Sequence, residues 1–227
     1  MRGFFCPAWD WSKRLTLHPS KIVCVGRNYV EHARELGNEV PKAPLLFLKA
    51  PSALIGSGEA IVLPVESAQV EHEAEIGVVI GKRLHRCTPR EAEQGIQGYL
   101  CLNDVTARDL QKSDGQWTRA KGFDTFCPVG PRVAEGLDWR GLEVIGRVNG
   151  VERQRGKAAE MVFPIPDLVS YISSIMTLLP GDLIATGTPS GVGRLAPGDV
   201  VEVEVPGVGV LRNPVRAFEA KAGAATS

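Results

Sequence analysis

The sequence predicts a mainly β protein with a few short helices, in the α+β class. In the last third of the chain, apolar runs are separated by Pro-Gly turns, which is hairpin-like spacing rather than strand–helix alternation. Asn149-Gly150, between two strand-like segments, is a strong hairpin signal. The 25 glycines and 16 prolines indicate many turns and short strands. A doubly wound parallel sheet is therefore not expected.

The length of 227 residues is sufficient for one sizeable core. No internal repeat or linker divides the chain. We therefore predict a short lead-in at 1–20, one domain at 21–218, and a disordered tail at 219–227.

The individual elements follow from local patterns. Apolar runs predict strands at 21–26, 45–49, 60–63, 69–81, 99–105, 183–186, 200–205 and 209–215, and a hairpin over 144–151. Helical patterns cover 28–36, 88–96 and 166–178, and the polar segment 107–117 has room for a further short helix. Thr88, Pro89 and Glu91 form a capping-box signature at the start of the second helix.

Composition excludes several classes of protein. The 26 basic and 26 acidic residues cancel, so no broad basic surface is predicted for nucleic acid, and no polybasic segment for a membrane. No apolar run approaches the roughly 20 residues that span a bilayer, and the N-terminus lacks a signal-peptide core, so a cytoplasmic protein is expected. The five cysteines are odd in number and form no Cys-x-x-Cys pair, which argues against disulfides and zinc.

The most informative motif is a run of acids at every second position, Glu71, Glu73 and Glu75, followed by an apolar stretch. In a strand these side chains would share one face, where their charges would repel. A hard cation would relieve that repulsion, whereas a solvated strand edge is the structural alternative. His72 points to the opposite face, so we interpret it as a core or interface residue.

Asp104 is a candidate third carboxylate because it ends an apolar strand. The alternative is a helix N-cap for the segment that follows. Three carboxylates with water or substrate in the other positions suit Mg²⁺, whereas zinc would require His or Cys at a suitable spacing.

Three further features are candidates for chemistry. His32 and Glu35 stand three apart in a predicted helix, so the carboxylate could orient the imidazole as a base, although an ordinary surface pair has the same spacing. Lys121 could bind an anionic substrate or be a surface lysine. The glycine-rich turn 186–191 directly follows a strand and can aim N–H groups at an anion, but it lacks the ending of a P-loop.

Together these segments resemble the fumarylacetoacetate hydrolase family, in particular its short, single-domain acylpyruvase and oxaloacetate decarboxylase-like members. The resemblance covers residues 20–215. Each motif is weak alone, but their ordered conjunction is specific. The matching segments are 25–29 with His32 and Glu35, 46–49, 73–82, 103–111, 120–124, 148–150 and 180–193.

The resemblance implies a mixed β-sandwich roll and a homodimer. It assigns the metal ligands to Glu73, Glu75 and Asp104, with Mg²⁺ as the cofactor and Mn²⁺ or Ca²⁺ as possible substitutes. It assigns catalytic roles to His32, Glu35 and Lys121. It places substrate-binding roles on Arg27, Arg108, Gln111, Gly187 and Thr188. Glu71 is left as an extra acid, either behind the ligands or facing solvent.

The implied substrate is a small 2-oxo acid. The first reading is Mg²⁺-dependent hydrolysis of the C3–C4 bond of acylpyruvates such as fumarylpyruvate or acetylpyruvate, to pyruvate and a carboxylic acid. The alternative is oxaloacetate decarboxylation, or keto–enol tautomerisation of oxaloacetate or 2-hydroxymuconate-type acids, at the same site. A non-catalytic binding protein on this scaffold would be expected to lack some of these residues, and all are present.

Overall fold

The computed structural model describes residues 17–219, except 36 and 38; the rest of the predicted lead-in and tail lies outside the described residues. The described strands are β1 (Ile22–Gly26), β2 (Leu45–Lys49), β3 (Leu54–Ile55), β4 (Ile61–Leu63), β5 (Val70–His72), β6 (Ala74–Ile80), β7 (Ile96–Asn103), β8 (Thr106–Ala107), β9 (Cys127–Ala134), β10 (Glu143–Val148), β11 (Val151–Lys157), β12 (Leu183–Ala185), β13 (Gly193–Arg194), β14 (Val200–Val205) and β15 (Gly209–Ala217). The described helices are α1 (Val30–Glu35), α2 (Pro89–Gly95), α3 (Arg108–Asp114), α4 (Thr118–Gly122) and α5 (Ile165–Ile175). The prediction of a mainly β protein with short helices is confirmed.

The described strands form three sheets. The seven-stranded sheet has the order β2-β1-β12-β6-β7-β9-β3, the five-stranded sheet β11-β10-β14-β15-β4, and the three-stranded sheet β13-β5-β8. Both parallel and antiparallel pairs occur in the seven-stranded sheet. Ile76 and Val78 on β6 share one buried cluster with Val144 and Val203 of the five-stranded sheet. The two larger sheets therefore pack on each other as the predicted mixed β-sandwich.

The helices flank the sheets and are short. Leu168, Val169 and Ile172 on α5 join the same buried cluster as Ala92 on α2, so both helices bury their apolar faces against the sandwich. Among the described residues, no helix is long and apolar enough to cross a membrane.

The capping box at the start of α2 is present. Glu91 N donates to Thr88 Oγ1 (3.3 Å), and Thr88 N donates to the Glu91 carboxylate (2.8 Å). We expect Thr88→Ala to lower the free energy of unfolding by about 1 kcal/mol, because an N–H at the helix start loses its acceptor. Urea unfolding measures this. The control Thr118→Ala, at a helix start without a side-chain cap, should change stability by less than about 0.5 kcal/mol, and equal losses in the two variants would contradict the prediction.

One element prediction requires correction. The predicted strand 69–81 is broken at Glu73 into two strands. The first, β5, belongs to the three-stranded sheet, and the second, β6, belongs to the seven-stranded sheet. The reason is that Glu73 N donates to Asn103 Oδ1 and Glu73 O accepts from Asp104 N, so its backbone is held by the end of β7. The short helix expected within 107–117 is confirmed as α3, which ends at Asp114 because Gly115 has a φ of +70°. The helix α4 follows separately and was not predicted.

Candidate active site

Three carboxylates lie together where β6 begins and its antiparallel neighbour β7 ends. Pairing of these strands places Ala74 opposite Asn103 and Glu75 opposite Leu102, and Asp104 follows directly. Glu73, Glu75 and Asp104 are all buried, and each offers one oxygen within 4.8 Å of the others. The three residues assigned as metal ligands are thus brought together by strand register.

Two buried lysines compensate part of this charge. Lys121 Nζ lies 2.7 Å from both Glu73 Oε2 and Asp104 Oδ2. Lys49 Nζ donates to Asp104 Oδ1 at 2.7 Å and to Val105 O at 3.0 Å. Burial alone would lower the pKa of Lys121, but the charges of Asp104 and Glu73 outweigh it and raise that pKa. The lysine is therefore held as a cation beside the carboxylates, and it is not a surface residue.

The two glutamates differ in their electrostatics. Burial would raise the pKa of Glu73, but the charges of Lys121 and Arg108 hold it well below the usual range. Burial, reinforced by the charges of Asp104 and Glu73, raises the pKa of Glu75 well above its usual range. Among the described residues, Glu75 accepts a hydrogen bond only from Gly187 N (2.7 Å) and forms no ion pair. The charge of Lys121 acts on Glu75 but does not outweigh burial and the two neighbouring acids.

This donor set fits a hard divalent cation. The three side chains supply oxygen ligands only, which is the chemistry that Mg²⁺, Mn²⁺ and Ca²⁺ prefer. A bound cation would give the Glu75 carboxylate the counter-charge that Lys121 supplies only in part.

Arg108 and Glu71 form a second layer behind the cluster. Arg108 donates to Glu71 Oε2 through Nε (2.7 Å), to Glu73 Oε1 through Nη2 and to Gln111 Oε1 through Nη1. Glu71 is only 7% exposed, so a solvent-facing role for this residue is wrong. The physical reason is the break in the strand at Glu73. Because of this break, β5 pairs with β8, and Glu71 is covered instead of lying at a solvent-exposed sheet edge.

His32 and Glu35 form the predicted pair on α1. His32 Nδ1 lies 3.2 Å from Glu35 Oε2, and His32 is buried at the wall of the cleft. The Glu35 carboxylate is itself held by Gly191 N, at 2.9 Å from Oε1. Gly191 has a φ of +97°, and a Cβ there would lie 1.9 Å from Arg153 O, so only glycine fits this anchoring position. His32 is buried, whereas the Glu35 side chain is 32% exposed and is held in place by Gly191 N. The imidazole is therefore oriented from its solvent side by an anchored carboxylate.

His72 is buried, as one of the two interpretations expected. Its Nδ1 lies 2.9 Å from Gln154 Oε1. Burial lowers the pKa of His72.

A cleft opens onto the carboxylates. Its walls are formed by Val25, Gly26, Arg27, His32, Phe47, Glu73, Glu75, Asp104, Arg108, Gln111, Trp117, Lys121 and Thr188. Phe47 and Trp117 make an edge-to-face contact with ring centroids 5.1 Å apart, which forms an aromatic wall. Nine of the residues proposed from the sequence line this one cleft; Glu35 and Gly187 stand behind it through His32 and Glu75.

Arg27 differs from the other cations of the cleft. Within the described part of the chain, it makes no hydrogen bond or ion pair with an acidic side chain. Its φ of +59° is unusual for a residue with a Cβ, and such backbone strain is concentrated at functional sites. Arg27 is therefore a cation of the cleft wall that no acid of the described chain neutralises.

The glycine-rich turn is locked behind the carboxylates. Gly187 N is used by Glu75, while Thr188 Oγ1 donates to Ala74 O (2.9 Å) and accepts from Gln154 Nε2 (2.7 Å). The hydroxyl of Thr188 is thus engaged by the protein, although the residue lines the cleft. The role of Gly187 and Thr188 in holding a substrate carboxylate stays a prediction.

Sequence reasoning missed two residues of the site. Lys49 lies in one of the segments that resemble the family, but the sequence alone assigns it no function in the site. Its position at the end of an apolar strand was a usable signal. Gln154 binds Ala74 N, Thr188 and Pro189 O, and lies on β11, far along the chain from all of them. No local pattern marks Gln154.

The fold and the site together define a mixed β-sandwich with a cleft whose three buried carboxylates could hold a metal ion. The family model described as fumarylacetoacetate (FAA) hydrolase C-terminal matches residues 21–216, and the chain belongs to this family of enzymes.

Relatives of named activity are similar over most of the chain. The mitochondrial oxaloacetate decarboxylase of Dictyostelium discoideum is 44% identical, over 83% of this chain and 89% of that protein. The mitochondrial oxaloacetate tautomerase of Bos taurus is 42% identical, over 87% and 67% respectively. The solved structure of 5-carboxymethyl-2-hydroxymuconate delta-isomerase from Mycobacterium smegmatis is 45% identical, with a TM-score of 0.84, covering 90% of this chain and 81% of that one.

Proposed function

We propose that this protein is a divalent-cation-dependent enzyme that forms the enolate of a short 2-oxo dicarboxylic acid of the oxaloacetate type, leading to keto–enol tautomerisation or decarboxylation. The observation that carries the proposal is the cluster of Glu73, Glu75 and Asp104 beside Lys121, in a cleft that also presents Arg27. The names of the relatives support oxaloacetate-type substrates better than acylpyruvates.

Glu73, Glu75 and Asp104 would hold the cation, for which Mg²⁺ is the proposed identity and Mn²⁺ or Ca²⁺ are possible substitutes. When bound, the cation supplies Lewis-acid stabilisation of the negative charge that develops on the C2 oxygen.

The side chains of the protein supply the remaining stabilisation. Lys121 is a buried cation next to the carboxylates, so it adds positive charge where the enolate forms, without needing to reorganise. In decarboxylation, the electrons of the C3–C4 bond pass into the enolate, CO₂ leaves, and a proton is then delivered to C3. In tautomerisation, the proton moves between C3 and the C2 oxygen. Both reactions need the same charge-stabilising site.

Hydrolysis of acylpyruvates is a second candidate, favoured by the His32–Glu35 pair. A buried imidazole oriented by a carboxylate is suited to deprotonate water. The resulting hydroxide would attack C4, the C3–C4 bond would break, and pyruvate would leave as its enolate. Isomerisation does not require such an activated water.

A substrate panel separates these functions. Purified protein with Mg²⁺ is given oxaloacetate, acetylpyruvate and fumarylpyruvate, and pyruvate release and enol–keto conversion are followed separately. The proposal predicts the highest kcat/KM with oxaloacetate. Efficient pyruvate release from the acylpyruvates with no effect on oxaloacetate would instead support the hydrolase.

Arg27→Met should lower kcat/KM more for a substrate that carries a second carboxylate than for one that lacks it. We expect kcat/KM for oxaloacetate to fall about a hundredfold, because a desolvated, charge-assisted contact to the C4 carboxylate is lost. Acetylpyruvate, which carries a methyl ketone there, should lose less than about threefold. Steady-state kinetics measure both. Arg83→Met, on the exposed surface, is the matched control, and equal losses on the two substrates would contradict the assignment.

A further inference from the structure

We propose that Glu71 is a positioning residue for the cation site: it neutralises Arg108 and so leaves Glu73 able to ligate a divalent cation. The inference rests on the cation site of the proposed function. Glu71 is not one of the three clustered ligands, yet it is buried. Because a buried carboxylate is costly unless it is paired, the partners of Glu71 indicate its role.

The backbone brings Glu71 and Arg108 together. Glu71 on β5 pairs with Thr106 on β8, and Arg108 follows two residues later. Arg108 N donates to Gln69 O at 2.7 Å, which continues the same pairing. The register of this short sheet therefore places the arginine beside Glu71 before any side chain is considered.

The side chains then fix the orientation of the guanidinium group. Its Nε binds Glu71, its Nη2 binds Glu73 and its Nη1 binds Gln111. The second oxygen of Glu71 accepts from Gln69 Nε2 at 2.6 Å. Since the guanidinium is a rigid planar fork, three separate partners leave it one orientation.

Glu71 changes the net positive charge that surrounds the ligand Glu73. Its two oxygens face Arg108 and Lys121, so it is already paired with two cations. Without Glu71, the full charge of Arg108 would act on Glu73 and would repel an incoming divalent cation. Glu71 offsets that charge from behind. It therefore supports cation binding without contacting the cation.

The test is a double-mutant cycle on Mn²⁺ affinity, measured by isothermal titration calorimetry on the full chain without substrate. We expect Glu71→Gln to raise the Kd for Mn²⁺ about ten- to a hundredfold, as for other residues that support metal ligands. In the Arg108→Gln background, adding Glu71→Gln should change the Kd by less than about threefold, because no arginine charge remains to be neutralised. Glu71→Asp keeps the charge and should bind Mn²⁺ more tightly than Glu71→Gln. Glu66→Gln, on the exposed surface, is the control and should bind like the unmodified protein.

Two results would overturn the inference: an unchanged Kd in Glu71→Gln, or an equal increase with and without Arg108. Circular dichroism of each variant shows whether it is folded, and Glu71→Asp provides the comparison if Glu71→Gln is not. If the unmodified protein binds no Mn²⁺, the proposed function fails together with this inference. If it binds Mn²⁺ and Glu71→Gln binds equally well, only the inference fails.

Discussion

Glu75→Gln is expected to lower kcat for oxaloacetate about a thousandfold or more while leaving the metal-free protein at least as stable as before. The loss reflects several kcal/mol of charge stabilisation that disappears with a cation ligand. The stability follows from the surroundings of Glu75: burial and the charges of Asp104 and Glu73 raise its pKa, so its ionised form disfavours folding. Between the pKa of Glu75 in the unfolded chain and its raised pKa in the folded protein, the folded state binds the extra proton. The free energy of unfolding therefore falls as the pH rises through this range. Glutamine does not titrate, so Glu75→Gln removes this pH-dependent loss of stability.

Kinetics with Mg²⁺ and thermal unfolding in EDTA measure the two halves of this prediction. Asp104→Asn is the informative comparison, because it removes the anion paired with Lys49 and one of the two anions paired with Lys121, and should therefore destabilise the fold. Activity within tenfold of the unmodified protein would contradict the ligand role of Glu75. A large drop in the melting temperature of metal-free Glu75→Gln would contradict the electrostatic account.

His32→Ala should separate the two candidate chemistries. Loss of an oriented base is expected to lower acylpyruvate hydrolysis about a hundred- to ten-thousandfold. Tautomerisation of oxaloacetate should be spared, because it needs no activated water. Pyruvate release and enol–keto conversion are measured on the same preparation, with His18→Ala as an exposed control.

The partner of His32 sharpens this test. Glu35→Gln should reduce hydrolysis in the unmodified background but add little to His32→Ala, because Glu35 acts through the imidazole. Equal loss of hydrolysis and tautomerisation in His32→Ala would show that the pair has another role.

Local patterns predicted much of the fold. The alternation and turn signals around Asn149-Gly150 correspond to the hairpin of β10 and β11, and the capping box at Thr88 begins α2. The grouping of Glu73 and Glu75 with Asp104 was also accessible, because the acids adjoin strands that were readable as apolar runs. These features depend on neighbours in sequence, where periodicity and propensity are informative.

Contacts between distant segments were not predictable in this way. The break at Glu73 depends on Asn103 and Asp104, thirty residues further along the chain. The ion pair of Glu71 with Arg108 exists only because of that break. Arg27 forms no ion pair with an acid of the described chain, and the pairing of nearby acids with other cations likewise depends on contacts between distant segments. The roles of the site residues, the single domain and the homodimer remain predictions.

The central claim is that a divalent cation held by Glu73, Glu75 and Asp104 drives enolate formation. Its most direct test is oxaloacetate turnover by the purified protein before EDTA, after EDTA, and after removal of EDTA and addition of Mg²⁺. The account predicts that chelation abolishes turnover by the unmodified protein, that Mg²⁺ restores it, and that Glu75→Gln stays about a thousandfold or more below the unmodified protein in Mg²⁺. Turnover by the unmodified protein that survives chelation, or Glu75→Gln turnover within tenfold of the unmodified protein in Mg²⁺, would contradict it.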